Sequence, residues 1–486
     1  MTFGSLLRDL ARHILGHCPI MDWASRVQRE WQTRMLNPIS IRAATDCSGL
    51  GSPEIAAHDL ELVGCLRSVK LEWAADWSHA SQRWLQEVVG IPRSNILGDM
   101  TKRSLSGGVM KDISLDGHRF EITKDVGLDL YVCGFPCTPF STKGQQLGWD
   151  DDNSKPFWVA AQTIATLRPK VVVLENVMGI VRSGGLDKVM SVLSVIRGYA
   201  VSSFTNLSNH HFGVPQHRPR VYLVMVRCDS VNNHLADEIL HDSVNNFLDK
   251  VKQPPVKWSV FLHGLGIPLV RGQTKASVQD LMTRVNACKC GVAHACKNHF
   301  CKCSRCAGAG GARGSSRCRW RSLHKEYRKK PAVRAARCKM LKAWRVIKKK
   351  PDLKQSPSYF ELSASMRLCA TDLIKSPRER DLLNALQESQ NLLDVDSILD
   401  LSQTLGRNAC RADGLVPTLG TGCSRMFAPA HSAFLDARQC LALQGQNVSC
   451  LPSGFSDDEL RTLAGNAMCV PVVGAIMASA FALLAS

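Results

Sequence analysis

Val171-Val172-Val173-Leu174 is apolar at every position. A strand with one wet face alternates apolar and polar residues, so an unbroken, mostly β-branched run reads as a strand covered on both sides. That is the situation at the centre of a parallel sheet flanked by helices. The run ends in Glu175-Asn176-Val177. An acid at the end of a central strand has few purely structural uses, because an unpaired buried carboxylate is expensive, and Glu175 is therefore expected to be functional. Ligands of open α/β sheets bind beyond the carboxyl ends of the strands. The residues just past each of the other short apolar runs are thus candidates for the same edge.

Leu128 to Val132 forms one such run, leading into Gly134 and then Cys137, which stands between Pro136 and Pro139. Proline fixes φ and donates no backbone hydrogen bond, so this thiol belongs to a stiffened loop beyond a strand. An isolated cysteine is most often a small buried hydrophobe, and only its company argues otherwise. Ile39, Ile41 and Ala43 alternate as a first strand that ends at Asp46 and turns through Ser48-Gly49-Leu50-Gly51. Glycines between a strand and a helix let the backbone approach a ligand, although a lone Gly-x-Gly is a weak signal. Ala74-Ala75-Asp76-Trp77 falls where a second strand should end. Its acid suits a pair of ribose hydroxyls and its indole an adenine face; a surface Asp beside a core Trp is the structural alternative. Ile96-Leu97-Gly98-Asp99-Met100 is a third such end, and no Gly-x-x-x-x-Gly-Lys-Ser phosphate cradle occurs. Residues 142–153 are polar with Gly144 and Gly148, as in a loop that closes over a site. Gln216-His217-Arg218-Pro219-Arg220 leads into the apolar stretch Val221–Val226, and alternation places Arg218 and Arg220 on one side of an extended chain.

Charge divides the chain. Residues 281–350 hold 21 Lys and Arg against the one acid Glu326, while all 486 residues together carry a formal +19. One segment therefore accounts for the excess and should face a polyanion. Eight of the 20 cysteines lie in it. Cys288, Cys290, Cys296, Cys301, Cys303, Cys306 and Cys318 are spaced closely enough to ligate zinc, more than one ion's worth; a thiol-bearing linker is the alternative. Behind them, basic residues mix with Trp320, Tyr327 and Trp344, which suits phosphate contact with stacking. Lys329-Lys330 and Lys348-Lys349-Lys350 also fit a nuclear import signal. The other cysteines are scattered and no secretory signal is read, so the expected location is intracellular, and the nucleus in a nucleated host. Leu6, Leu7, Leu10, Ile14 and Leu15 form a helical stripe, but Asp9, Asp22 and Glu30 argue against a transit peptide. The uncharged tail 468–486 has the length of a membrane span; Pro471 and its many small residues favour a buried terminal helix and no membrane partner.

Taken in order, these motifs resemble the cytosine-5 methyltransferase family. Gly134, Phe135, Pro136, Cys137, Phe140 and Ser141 match its nucleophile pattern Gly-Phe-Pro-Cys-x-x-Phe-Ser. Glu175-Asn176-Val177 matches its Glu-Asn-Val, and Gln216, Arg218 and Arg220 its Gln-x-Arg-x-Arg. The first turn is similar to its cofactor loop, Asp-x-Phe-x-Gly-x-Gly, with Cys47 and Ser48 in place of the usual Leu and Phe. Asn153 and Ser154 stand where Arg and Gly are usual after Asp151. Thr418-Leu419 resembles the family's recognition pair; Arg438, Gln444 and Gly445 match the next motif, and Gly465-Asn466-Ala467 the last.

The resemblance implies an α/β, Rossmann-like S-adenosylmethionine-dependent domain with a smaller target recognition domain. The boundaries expected are an N-terminal helical extension 1–37, a first catalytic part 38–228, a recognition domain 229–428 with the Cys-rich insertion 284–350, and a catalytic return 429–486. It implies a DNA (cytosine-5-)-methyltransferase with Cys137, Glu175, Arg218 and Arg220 as catalytic residues. S-adenosylmethionine would lie against Asp46, Ser48, Gly49, Gly51, Asp76, Trp77, Asp99, Met100, Pro136, Asn466 and Ala467, and DNA against Gln216, Thr418 and Leu419. Two rivals stay open: the family's tRNA-methylating branch, which shares the catalytic residues, and an idle nucleic-acid-binding protein. Phe135 before Pro136, where that branch has a second proline, and the absence of Cys-Phe-Thr weigh against the first.

Overall fold

The computed structural model describes residues 22–136, 154–231, 235–267, 396–403, 410–420, 425–431, 433–448 and 451–485. The chain divides into two units, one of Met1–Ile267, Thr418–Ser424 and Asp436–Ser486, the other of Pro268–Pro417 and Arg425–Leu435. In chain order the strands are β1 (Ile39–Asp46), β2 (Leu66–Ala75), β3 (Ile96–Leu97), β4 (Ser104–Ser106), β5 (Val109–Ile113), β6 (Arg119–Thr123), β7 (Leu130–Cys133), β8 (Val171–Val177), β9 (Tyr199–Leu207) and β10 (Arg220–Arg227), followed by β11 (Ile398–Asp400), β12 (Cys410–Arg411), β13 (Met426–Ala428) and β14 (Ala433–Phe434). The principal helices are α1 (Asp22–Thr33), α2 (Ser52–Leu62), α3 (His79–Glu87), α4 (Lys155–Leu167), α5 (Gly185–Ser194), α6 (Asp237–Val251), α7 (Asp457–Asn466) and α8 (Val470–Ala485).

The first unit is built on a seven-stranded sheet in the order β3-β2-β1-β7-β8-β10-β9. β3, β2, β1, β7 and β8 run parallel, and β10 is antiparallel to both neighbours. The mixed α/β sheet with a parallel core agrees with the fold expected. All four residues of the run 171–174 are buried, as an apolar strand between two helical layers must be. Register brings the site together: Asp46 lies opposite Ala75 on one side and Cys133 on the other, and Cys133 opposite Leu174. The next residue of each strand therefore emerges at one edge, which collects Cys47, Asp76, Gly134 and Glu175.

On one face the sheet packs against α4 and α5, through Phe157, Ile164, Val189 and Leu193 over Trp73, Tyr131, Val172 and Leu174. The other face carries α1, α2, α6 and α8. Two of these correct the boundaries expected. Residues 1–37 are not a separate extension throughout, since α1 buries Trp23, Val27 and Trp31. A Cβ on Gly474 of α8 would lie 2.2 Å from the Trp23 ring, so that glycine is the notch into which the indole fits. Nor does the first catalytic part end at 228, where strand patterning stops; α6 comes next and buries Leu240, Val244, Phe247, Leu248 and Val251 in the same unit. The uncharged tail is α8, buried along nearly its whole length. By length and composition 457–485 could cross a membrane, but 89% of its apolar window lies inside the protein.

β4, β5 and β6 form a small antiparallel sheet. The described part of the second unit is a four-stranded antiparallel sheet, β12-β11-β13-β14. The stripe at residues 6–15, the loop 142–153 and the insertion 284–350 with its seven candidate zinc ligands lie outside the described residues, as does Cys137.

Candidate active site

Glu175 lies in β8 opposite Tyr222, two residues before the strand ends, and β10 begins beside that end with Arg220 opposite Val177. Arg220 Nε lies 3.0 Å from Glu175 Oε1, in a pair about one-eighth exposed on each side. Burial raises the Glu175 pKa above the usual carboxylate range, although Arg220 and Arg218 oppose the shift. A shift in that direction brings a carboxyl closer to the range in which it can exchange a proton with a bound base. Asn176 points the other way and donates from Nδ2 to the Phe135 carbonyl at 3.2 Å. It thereby fixes the backbone two residues before Cys137. Phe135 packs against Phe157 with ring centroids 5.2 Å apart. A Cβ on Gly134 would stand 2.6 Å from Met468 Cε, the far end of a flexible side chain, and 3.6 Å from Glu175 Oε2. Pro136 is the last described residue before the thiol.

The glycine turn begins one residue past β1. Gly49 (φ +56°) and Gly51 (φ +67°) both take left-handed backbone that glycine adopts without strain. A Cβ on Gly51 would meet Val89 Cγ2 at 2.8 Å, whereas one on Gly49 or Gly98 would meet nothing within 4 Å. Open space thus lies above the turn and beside the third strand end. Asp76 accepts from Gly49 N and Ser78 N, each at 2.9 Å, and burial raises its pKa. Trp77 is 75% exposed, an unusual state for an indole and one that leaves its face free to stack. Asp99 accepts from the Thr101 amide and hydroxyl, and Met100 Sδ lies 3.7 Å from Cys47 Sγ. From the C-terminal motif, Met468 presents its carbonyl to Ser52 Oγ at 2.9 Å, while Asn466 is exposed and Ala467 buried. Ser48, Gly49, Gly51, Asp76, Trp77, Met100, Asp99 and Ala467 therefore surround one end of the sheet.

Three residues do other work than expected. Asp46, 1% exposed, is held by both terminal guanidinium nitrogens of Arg103 at 2.7 and 2.8 Å, by the Tyr131 hydroxyl at 2.6 Å and by Trp73 Nε1 at 3.0 Å. These partners lie on the face that carries Trp73 and Tyr131, so Asp46 is a buried anchor and its carboxylate does not reach the turn. The cause is one residue of register. The resembled pattern sets its acid four places before the first glycine, where this chain has Thr45, and neighbouring strand residues point to opposite faces. Arg218 likewise turns away from Arg220. It donates to the carbonyls of Leu419 (2.9 Å), Gly465 (2.8 Å) and Ala467 (2.8 Å), and burial beside Arg220 pulls its pKa down to about 9. It clamps the C-terminal motif. Gln216 is wholly buried, its Oε1 accepting from Asn209 Nδ2 (2.8 Å) and Gln444 Nε2 (2.9 Å) while its Nε2 makes no hydrogen bond. Thr418 Oγ1 donates to the His217 carbonyl at 2.7 Å, and Leu419 is buried. Thr45, Arg103, Tyr131 and Met468 escape sequence reasoning, since none carries a local pattern of its own.

The family described as C-5 cytosine-specific DNA methylase matches residues 55–359. Among curated proteins, the Type II methyltransferase M.BanI of Aneurinibacillus aneurinilyticus is 36% identical over 110 residues, 22% of this chain and 26% of that protein. M.HpaII of Haemophilus parainfluenzae, another Type II methyltransferase, is 33% identical over 136 residues, 27% of this chain and 38% of that one. The matched stretches thus span well under half of either relative. A solved Spodoptera frugiperda DNMT2 variant overlays with a TM-score of 0.41 at 14% identity, over 91% of this chain and 99% of that one, an overlap too loose to carry an argument.

Proposed function

We propose, starting from the premise that the chain belongs to the C-5 cytosine-specific DNA methylase family, that it methylates carbon 5 of cytosine in DNA with S-adenosylmethionine as donor. The residues present fit that donor. The open space at Gly49 and Gly98, the exposed indole of Trp77 and the carboxylates of Asp76 and Asp99 suit a nucleoside with an amino-acid tail. Bound there, S-adenosylmethionine supplies an electrophilic methyl group. Everything else falls to the protein.

Carbon 5 of cytosine is a poor nucleophile, so electrons must be lent to the ring. In this reading the Cys137 thiolate adds to carbon 6, a covalent route to an electron-rich carbon 5. Glu175, whose pKa burial raises, bonds ring nitrogen 3 and accepts from the exocyclic amine. Arg220 steadies the carbonyl oxygen. After methylation the carbon 5 proton leaves, the carbon 6–sulfur bond breaks and Cys137 is regenerated. The base must leave the duplex to be reached. The observation that carries the reading is the Glu175–Arg220 pair at a strand end, in contact distance of Gly134, three residues before the one thiol set between prolines.

The basic segment 281–350 is proposed to hold the DNA backbone, with zinc on the seven cysteines fixing its shape and the lysine runs serving nuclear import in a nucleated host. Labelled-methyl transfer to duplex DNA and to tRNA, with wild type and Glu175→Gln, tests the core of it. Transfer to DNA that falls by about a hundredfold or more in the variant is expected, on the scale of losing a proton donor. Transfer to tRNA alone would move the protein to the rival branch, and transfer to neither would favour the idle binder.

A further inference from the structure

Thr45 stands at the spacing where the resembled cofactor loop carries its acid. A carboxyl group nevertheless meets it, and it comes from the following helix: Thr45 Oγ1 donates to Glu54 Oε1. Ser48 Oγ, in the turn itself, lies 2.6 Å from the same hydroxyl. Glu54 sits in the first turn of α2, directly behind the glycine turn, and is only 9% exposed. Its second oxygen has no hydrogen-bond partner. The groups that act on this carboxyl from the strand, the turn and the second strand end are Thr45, Ser48 and Asp76; among the described residues none is a cation, and Asp76 adds charge of the same sign. A buried acid with an idle oxygen, backed by another acid, leaves a negative site short of positive charge.

We propose that Glu54 supplies the carboxylate of the cofactor turn, moved from strand to helix, and makes the site prefer the sulfonium cofactor to its neutral thioether product. This rests on the reading of the turn as an S-adenosylmethionine site. When the methyl group leaves, sulfur keeps the electron pair of the broken bond, and the ligand's sulfonium charge disappears while its other groups stay as they were. A nearby carboxylate therefore stabilises the donor and not the product, which favours loading before the reaction and release after it. Burial holds Glu54 at about 7, so the arriving cation favours the ionised form and expels a proton, and departure of the product restores it.

Calorimetric affinities of S-adenosylmethionine and S-adenosylhomocysteine, for wild type and Glu54→Gln between pH 6 and 8, decide the matter. Glu54→Gln is expected to weaken the sulfonium ligand about tenfold, the order for one charge roughly 10 Å away at an effective dielectric near 20, and to leave the thioether within about twofold. The wild-type preference should grow with pH, and the variant's should stay flat. Equal weakening of both ligands would reduce Glu54 to packing and overturn the inference, as would an unchanged ratio. Should the variant not fold, wild-type titrations in two buffers of different ionisation enthalpy replace it: more proton release with the sulfonium ligand supports the inference, and equal release overturns it. If wild type binds neither ligand, the reading of the site falls and takes this inference with it.

Discussion

Arg218 and Arg220 are two residues apart and divide two tasks between them. Arg218 gives both terminal nitrogens to three backbone carbonyls, so its removal leaves buried acceptors unpaired. Arg218→Ala should lower unfolding stability by roughly 2–4 kcal/mol. Arg220 faces Glu175 across a partly open gap. Arg220→Ala should cost less stability than Arg218→Ala, because the Glu175 carboxyl it leaves behind can take up a proton, and yet lose most methyl transfer. Denaturant titration and turnover measured on the same two proteins separate the roles; an equal loss of stability in both would contradict the division. Trp77 tests the cofactor side. Its indole is exposed and packs against little, so Trp77→Ala should not unfold the protein, but should weaken S-adenosylmethionine by roughly 1–3 kcal/mol, the scale of a lost aromatic stack. Unchanged affinity by calorimetry would free Trp77 from that role.

Helix α2 carries two buried acids whose ionisation burial opposes. Glu54 is raised from an ordinary 4.5 to about 7 and Asp59 from 3.8 to about 8. A carboxyl raised in the folded state binds its proton more tightly there than in the unfolded chain. The stability it contributes is complete below the unfolded value and is lost as pH climbs through the folded one. Thermal stability should therefore fall between about pH 4 and pH 8, by several kcal/mol at roughly 1.4 kcal/mol per pH unit for each group, and Glu54→Gln with Asp59→Asn should flatten the curve. A profile that rises over that range would contradict the burial described. The elements themselves are legible in the sequence to different degrees. An apolar run such as 171–174 announces a central strand, and glycine or an acid after each run marks the edge where ligands sit. The frame of one turn is not legible. Asp46 and Thr45 are neighbours, and only the strand's alternation decides which carboxyl or hydroxyl faces the turn. Glu54 could be suspected from Ser-Pro-Glu at a helix start, but a first-turn acid is so common that the pattern singles out nothing. Helix α6 escapes because its buried stripe, Leu240 to Val251, comes after the last strand with no motif attached.

At the scale of the whole molecule, charge and chemistry occupy different stretches of chain. The sheet edge gathers the candidate catalytic and cofactor groups, while residues 281–350 hold the entire basic excess. Deleting them should weaken DNA binding most at low salt and flatten the dependence of affinity on salt, since each phosphate contact contributes to that slope. Metal analysis of the intact protein should find zinc, and chelation should mimic part of the deletion. An unchanged slope would assign the segment to another task, and absence of metal would remove zinc. The Cys137 thiol, with Glu175 and Arg220, is proposed to methylate cytosine in DNA. Bisulfite sequencing of a plasmid incubated with S-adenosylmethionine and either wild type or Cys137→Ser tests it most directly. Protected cytosines with wild type and none with the variant, both proteins binding S-adenosylmethionine alike, are the expected result. Equal protection by Cys137→Ser, or none by a wild type that binds the donor, would contradict it.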